Sequence, residues 1–176
     1  MGLKKGLVQV YTGDGKGKTT AALGLALRAI GRGLKVVMIQ FLKGGNRTGE
    51  LVAARRLWPE LEIKPMGKEG FIGPDGPSTQ DQELAGAALV EAKMLLANRA
   101  CDVLILDEIN VAVSLGLLSE DAVLDIIKDK PENVELILTG RGACSSILER
   151  ADLVTTMVCT RHYFDKGQPA RIGIEH

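Results

Sequence analysis

Short apolar runs alternate along this chain with longer stretches in which alanine and leucine recur at helical spacing. Leu7 to Tyr11 (LVQVY) predicts a strand, and Thr19 to Ile30 predicts the helix that follows it. Gly31 and Gly33 stop that helix, and Lys35 to Phe41 (KVVMIQF) predicts a second, buried strand that completes a βαβ unit. Gly49 to Trp58 reads as a short helix broken by Pro59, and Leu61 to Met66 as a third strand. Ser78 is placed to cap a long helix running to about Ala97, with Asp81 and Glu83 in its first turn. Asp102 to Leu106 (DVLIL) predicts a buried strand that delivers Asp107 and Glu108 at its C-terminal end. A helix from Ser119 to Pro131, a strand over Val134 to Thr139, a short helix near Ser145 to Arg150 and a last interior strand at Leu153 to Val158 complete the series. A tail near Arg171 to Ile174 is expected to add an edge. Strands alternating with helices predict an α/β fold with a doubly wound, mostly parallel sheet.

The turn between the first strand and its helix reads Thr12-Gly13-Asp14-Gly15-Lys16-Gly17-Lys18-Thr19-Thr20, close to the P-loop pattern G-x-x-x-x-G-K-[ST]. It matches at Gly17, Lys18 and Thr19 and departs only where Thr12 stands for the first glycine. Three glycines still let successive backbone N–H groups converge on an anion, and the helix behind them adds its positive end. Gly13 to Thr20 are therefore the candidate ATP-binding residues, with Lys18 neutralising phosphate charge and the Thr19 hydroxyl reaching Mg²⁺. Asp107-Glu108, at the end of an apolar strand, suits the acidic position of such a site, where one carboxylate orients the metal directly or through water. Arg141, in Thr139-Gly140-Arg141-Gly142, falls at the same sheet edge, where a guanidinium can hold phosphate oxygens in a fork. An ordinary surface ion pair is the competing reading of that arginine. His162 has no carboxylate or nucleophile assigned to it by spacing and is read as structural.

Composition narrows the function classes. The 176 residues are 45% hydrophobic, enough to fill one core, so residues 1–176 are expected to form a single domain. Lysine plus arginine equals aspartate plus glutamate at 22 each, which argues against nucleic acid or an anionic membrane as partner. Cys101, Cys144 and Cys159 are odd in number and widely spaced, so they are expected to be free thiols in a cytoplasmic protein. No run approaches the ~20 apolar residues of a membrane span, and Met1 to Gly6 does not resemble a secretion signal. Gly67 to Pro77 holds four glycines and two prolines in eleven residues, a loop with a specific task, and its Phe71 and Ile72 could cover a flat ligand or tuck inward.

Taken together, these motifs resemble the ATP:corrinoid adenosyltransferases of cobalamin synthesis and salvage. The resemblance runs through YTGDGKGKTTAA at Tyr11 to Ala22, QFLKG at Gln40 to Gly44, LDEIN at Leu106 to Asn110, LTGRG at Leu138 to Gly142 and RHYFDKGQPARIGIE at Arg161 to Glu175. It implies a P-loop NTPase (RecA-like) fold and transfer of the 5′-deoxyadenosyl group of ATP to the Co(I) of a reduced corrinoid, with release of triphosphate. The family binds ATP in reversed sense along the P-loop. By this resemblance Gly13 to Thr19 wrap the triphosphate and Arg141 is a further phosphate contact. Thr19 and Glu108, with Asp107 as the alternative acid, hold Mg²⁺, while Phe71 lines the corrinoid face. A Trp found two residues after that Phe in some members is Gly73 here, and the long N-terminal extension of those members is nearly absent. The resemblance further implies a homodimer and a reduced flavoprotein as electron donor. From the residues alone, two other readings stay open: an ordinary P-loop ATPase or kinase, and a nucleotide-dependent binding module.

Overall fold

The computed structural model describes residues 2–45, 48–70, 72–73 and 76–175. Six strands form one parallel sheet: β1 (Val8–Thr12), β2 (Val36–Gln40), β3 (Leu61–Pro65), β4 (Val103–Asp107), β5 (Glu135–Thr139) and β6 (Leu153–Thr156). Their order across the sheet is β3-β2-β4-β5-β1-β6. The helices are α1 (Lys18–Ile30), α2 (Gly49–Arg56), α3 (Thr79–Ala97), α4 (Ile109–Ser114), α5 (Glu120–Asp129) and α6 (Ser145–Arg150), followed by a 3-10 turn at Tyr163–Lys166.

The two-residue period of each strand divides the core between the faces of the sheet. Val10, Ile39, Leu104, Leu106, Leu136 and Leu138 pack on one side with Ala85, Ala88 and Ala92 of α3 and Val123 and Ile126 of α5. Tyr11, Met38, Val103, Ile105 and Ile137 face the other side, against Ala22 and Ala26 of α1 and Ala54 of α2. Every residue of β2 and of β4 is buried, which is why both read as unbroken apolar runs. Alanines on the inner faces of α1 and α3 let the helices lie close against the branched side chains of the sheet.

Three features differ from expectation. The last strand is not interior: β6 lies at the sheet edge beside β1 alone, and all four of its residues are exposed. Its apolar sequence reads as buried because alternation cannot tell an edge from a centre. Arg171 to Ile174 forms turns instead of an added strand. The six-residue α4, starting directly after Glu108, is too short for a periodic signal. The cap of α3 forms as expected: the Ser78 side chain accepts from the Asp81 N–H, and the Asp81 carboxylate accepts from the Ser78 N–H at 2.8 Å.

Candidate nucleotide site at the carboxyl edge of the sheet

All six strands point the same way, so the loops after β1, β2, β4 and β5 converge at one edge. Because β5 lies between β1 and β4, the P-loop and the acid pair are separated by one strand whose end supplies Thr139 and Arg141. A cleft of about 520 Å³ opens there. It is lined by the P-loop from Asp14 to Thr20, by Lys43, Glu50, Glu108 and Arg141, and by His162 with Gly173, Ile174 and Glu175.

The P-loop turns through Gly13 (φ 90°) and Gly17 (φ 122°), backbone conformations that side chains disfavour, and α1 begins at Lys18 directly behind. The loop is braced from the edge strand: the Gly15 N–H donates to the Met157 carbonyl at 2.7 Å. A Cβ on Gly15 would stand 2.8 Å from that same oxygen, so the contact requires glycine. The Lys18 ammonium curls over the loop and donates to the carbonyls of Gly13 (2.6 Å) and Gly15 (2.8 Å). Burial pulls its pKa below the ordinary lysine value, a shift that the Glu108 carboxylate opposes.

Asp107 is wholly buried and is the hub of the site. Its Oδ1 accepts from the Thr19 hydroxyl at 2.8 Å and the Thr139 hydroxyl at 2.7 Å. Its Oδ2 accepts from Gln40 Nε2 and Lys43 Nζ, each at 3.3 Å. Four donors thus satisfy this buried carboxyl group. Glu108 takes the left-handed conformation (φ 63°), and its N–H donates to Thr139 Oγ1 at 2.9 Å. That turn aims its carboxylate into the cleft instead of continuing the strand alternation. Burial first, and the neighbouring Asp107 charge second, raise the Glu108 pKa above the ordinary carboxyl range.

The tail is folded onto itself beside the P-loop. Glu175 is bonded to the Tyr163 hydroxyl and pairs with Arg171 at 3.1 Å, whose guanidinium lies 5.0 Å from the Tyr163 ring centre. These partners, Arg171 before Tyr163, hold the Glu175 carboxyl down at about 2. Lys16 Nζ reaches the Ile174 carbonyl at 3.4 Å, joining tail to loop.

The P-loop residues Asp14 to Thr20, Glu108 and Arg141 thus line one cleft, while Asp107 lies buried behind Thr19, whose hydroxyl rests on it rather than on Glu108. Phe71 lies outside the described residues. Sequence reasoning missed Lys43, Glu50, Thr139 and the tail as parts of this site, and His162, read as structural, lines the cleft while its Nδ1 accepts the Phe164 N–H at 3.1 Å. Lys43 and Thr139 sit inside motifs that could have flagged them, whereas nothing in the sequence says that Arg161 to Glu175 folds back to residue 16.

Fold and site together define a P-loop nucleotide-binding protein of the α/β class. The same architecture appears in two solved structures. The flagellar accessory protein FlaH from Methanocaldococcus jannaschii superposes with TM-score 0.57 at 14% identity, over 88% of this chain and 72% of its own. A KaiC-like protein from Pyrococcus horikoshii superposes with TM-score 0.55 at 18% identity, over 88% and 73%. The family model for ATP:corrinoid adenosyltransferase BtuR/CobO/CobP matches residues 4–176, and the chain belongs to that family. The corrinoid adenosyltransferase of Pseudomonas aeruginosa is 39% identical over 172 residues, covering 98% of this chain and 84% of the relative. That of Escherichia coli K12 is 38% identical over 179 residues, and the corrinoid adenosyltransferase CobA of Salmonella typhimurium 36%, each covering 98% of this chain and 87% of the relative.

Proposed function

We propose that this chain transfers the 5′-deoxyadenosyl group of ATP to the Co(I) of a reduced corrinoid, releasing triphosphate, in the synthesis or salvage of adenosylcobalamin. Membership of the corrinoid adenosyltransferase family along residues 4–176 carries this reading. Residues 1–176 act in it as one catalytic unit.

Co(I) is a strong nucleophile, so its electron pair forms the cobalt–carbon bond without a protein base. The C5′–O bond breaks, and its pair leaves with the triphosphate. The protein's work is placement and charge compensation. Gly13 to Thr20 offer backbone N–H groups and the α1 N-terminus to the phosphates, and Lys18 leaves the loop carbonyls for phosphate oxygens. Arg141, which also lines the cleft, supplies a second cationic contact. The oxygen donors Thr19, Asp107 and Glu108 suit a hard divalent cation, and we assign them to Mg²⁺, which would neutralise phosphate charge. With both Asp107 oxygens engaged by protein donors, Glu108 is the acid directed at the cleft and the better candidate for direct ligation. Phe71 is assigned to the corrinoid face on family resemblance alone.

No helix among the described residues is long and apolar enough to cross a membrane. We place the enzyme in the cytoplasm, as a homodimer served by a reduced flavoprotein that generates Co(I). Sedimentation would check the dimer.

The deciding experiment is anaerobic: protein, ATP, Mg²⁺ and chemically reduced cobalamin, followed by the Co(I) absorbance and by the phosphate product. The expected result is loss of the Co(I) band, a light-sensitive alkylcobalamin and intact triphosphate. Orthophosphate release with unchanged corrinoid would return the chain to the ordinary P-loop ATPases.

A further inference from the structure

Lys43 stands in the loop after β2, within the QFLKG run, and nothing above assigns its charge a role. Its ammonium lies 3.3 Å from Asp107 Oδ2 and 3.6 Å from Glu50 Oε1. Both distances exceed the ~2.7–2.9 Å of a tight charge-assisted bond. Asp107 does not depend on it alone, since Thr19, Thr139 and Gln40 also donate to that carboxylate. The Lys43 side chain is 34% exposed and lines the cleft with Lys18, Glu108 and Arg141.

We propose that Lys43 is a further phosphate-contacting residue of the transfer reaction, held in waiting by Asp107 and Glu50. This rests on the adenosyl-transfer reading above. When C5′–O breaks, the departing triphosphate gains one negative charge as it takes the bonding pair. A mobile ammonium held beside the phosphate path can turn from single carboxylates to that polyanion and strengthen its contact as the charge grows. Lys18 answers the P-loop end of the chain, and Lys43, on the loop after β2, answers another part of it. Glu50, anchored on α2, keeps the ammonium within reach.

Calorimetry with inorganic triphosphate and steady-state transfer kinetics test this on the full chain. Lys43→Met should weaken triphosphate binding on the order of tenfold and lower kcat on the order of 10²-fold, in the range seen for loss of one transition-state donor. Lys43→Arg should restore much of both. Unchanged triphosphate affinity in Lys43→Met, or an arginine variant no better than methionine, would reduce Lys43 to a structural partner of Asp107 and overturn the proposal. If the methionine variant does not fold, lysine-side-chain NMR of the wild type, assigned with Lys43→Arg, decides instead. A Lys43 signal that moves on adding triphosphate supports the contact, and one that stays put refutes it. Failure of the transfer reaction itself would sink the functional reading, while the triphosphate measurement still judges the contact.

Discussion

Glu108 concentrates the conflict between stability and function on one side chain. Its left-handed backbone aims a carboxylate into a cleft where burial and Asp107 both disfavour ionisation. Because its folded pKa is raised, the native state retains a proton that the unfolded chain has already released as pH climbs past the ordinary value of 4.5. Stability from this group therefore falls as pH rises through that window, the reverse of a salt-bridged acid. Glu108→Gln should remove that slope and stabilise the protein by about 1 kcal/mol, roughly 2–4 °C in Tm, while impairing transfer. Thermal melts of both proteins from pH 4 to 7 would check the sign, and a lower Tm in the variant at neutral pH would contradict it. At this scale the sequence was informative about residue type and silent about orientation. The pair Asp107-Glu108 was visible, but which acid is the buried hub depends on Thr139 and Gln40, brought together only by strand order.

Among the elements, β6 was named correctly and placed wrongly, and its placement matters to the site. As an edge strand it leaves its side chains in solvent, yet the backbone beyond it holds the P-loop through Met157. Gly15→Ala should force loop and strand apart, and a displacement approaching 1 Å at a positioned phosphate is expected to cost up to ~10²-fold in kcat/KM for ATP. Near-normal kinetics in that variant would show the brace to be dispensable. The βαβ opening, the buried runs of β2 and β4 and the Ser78 cap were legible because each rests on local periodicity or local hydrogen bonding. The tail was not, because Tyr163, Arg171 and Glu175 meet each other through a turn with no repeating pattern.

For the molecule as a whole, nucleotide binding and folding are linked. The cleft joins residues from the first helix to the tail, so ATP stabilises the assembled sheet rather than any single element. At a hundredfold excess over Kd, ATP with Mg²⁺ should add about 2.7 kcal/mol, or roughly 5–10 °C in Tm. Lys18→Ala should lose most of that rise, as differential scanning calorimetry would show; an undiminished rise would separate Lys18 from the phosphates. The overall α/β class was legible from alternation alone, but strand order was not, since every crossover could be satisfied by several orders.

The insertion of β5 between β1 and β4 also has a consequence in time. During synthesis the P-loop precedes the acid pair by some ninety residues, yet β1 has no partner in the sheet until β5 has been made. A nascent chain long enough to contain both motifs still has no hinge on which to hang them together, and the cleft residues His162 to Glu175 follow later than β5. Competence to grip a nucleotide therefore waits for β5, the strand that seats both motifs on one sheet.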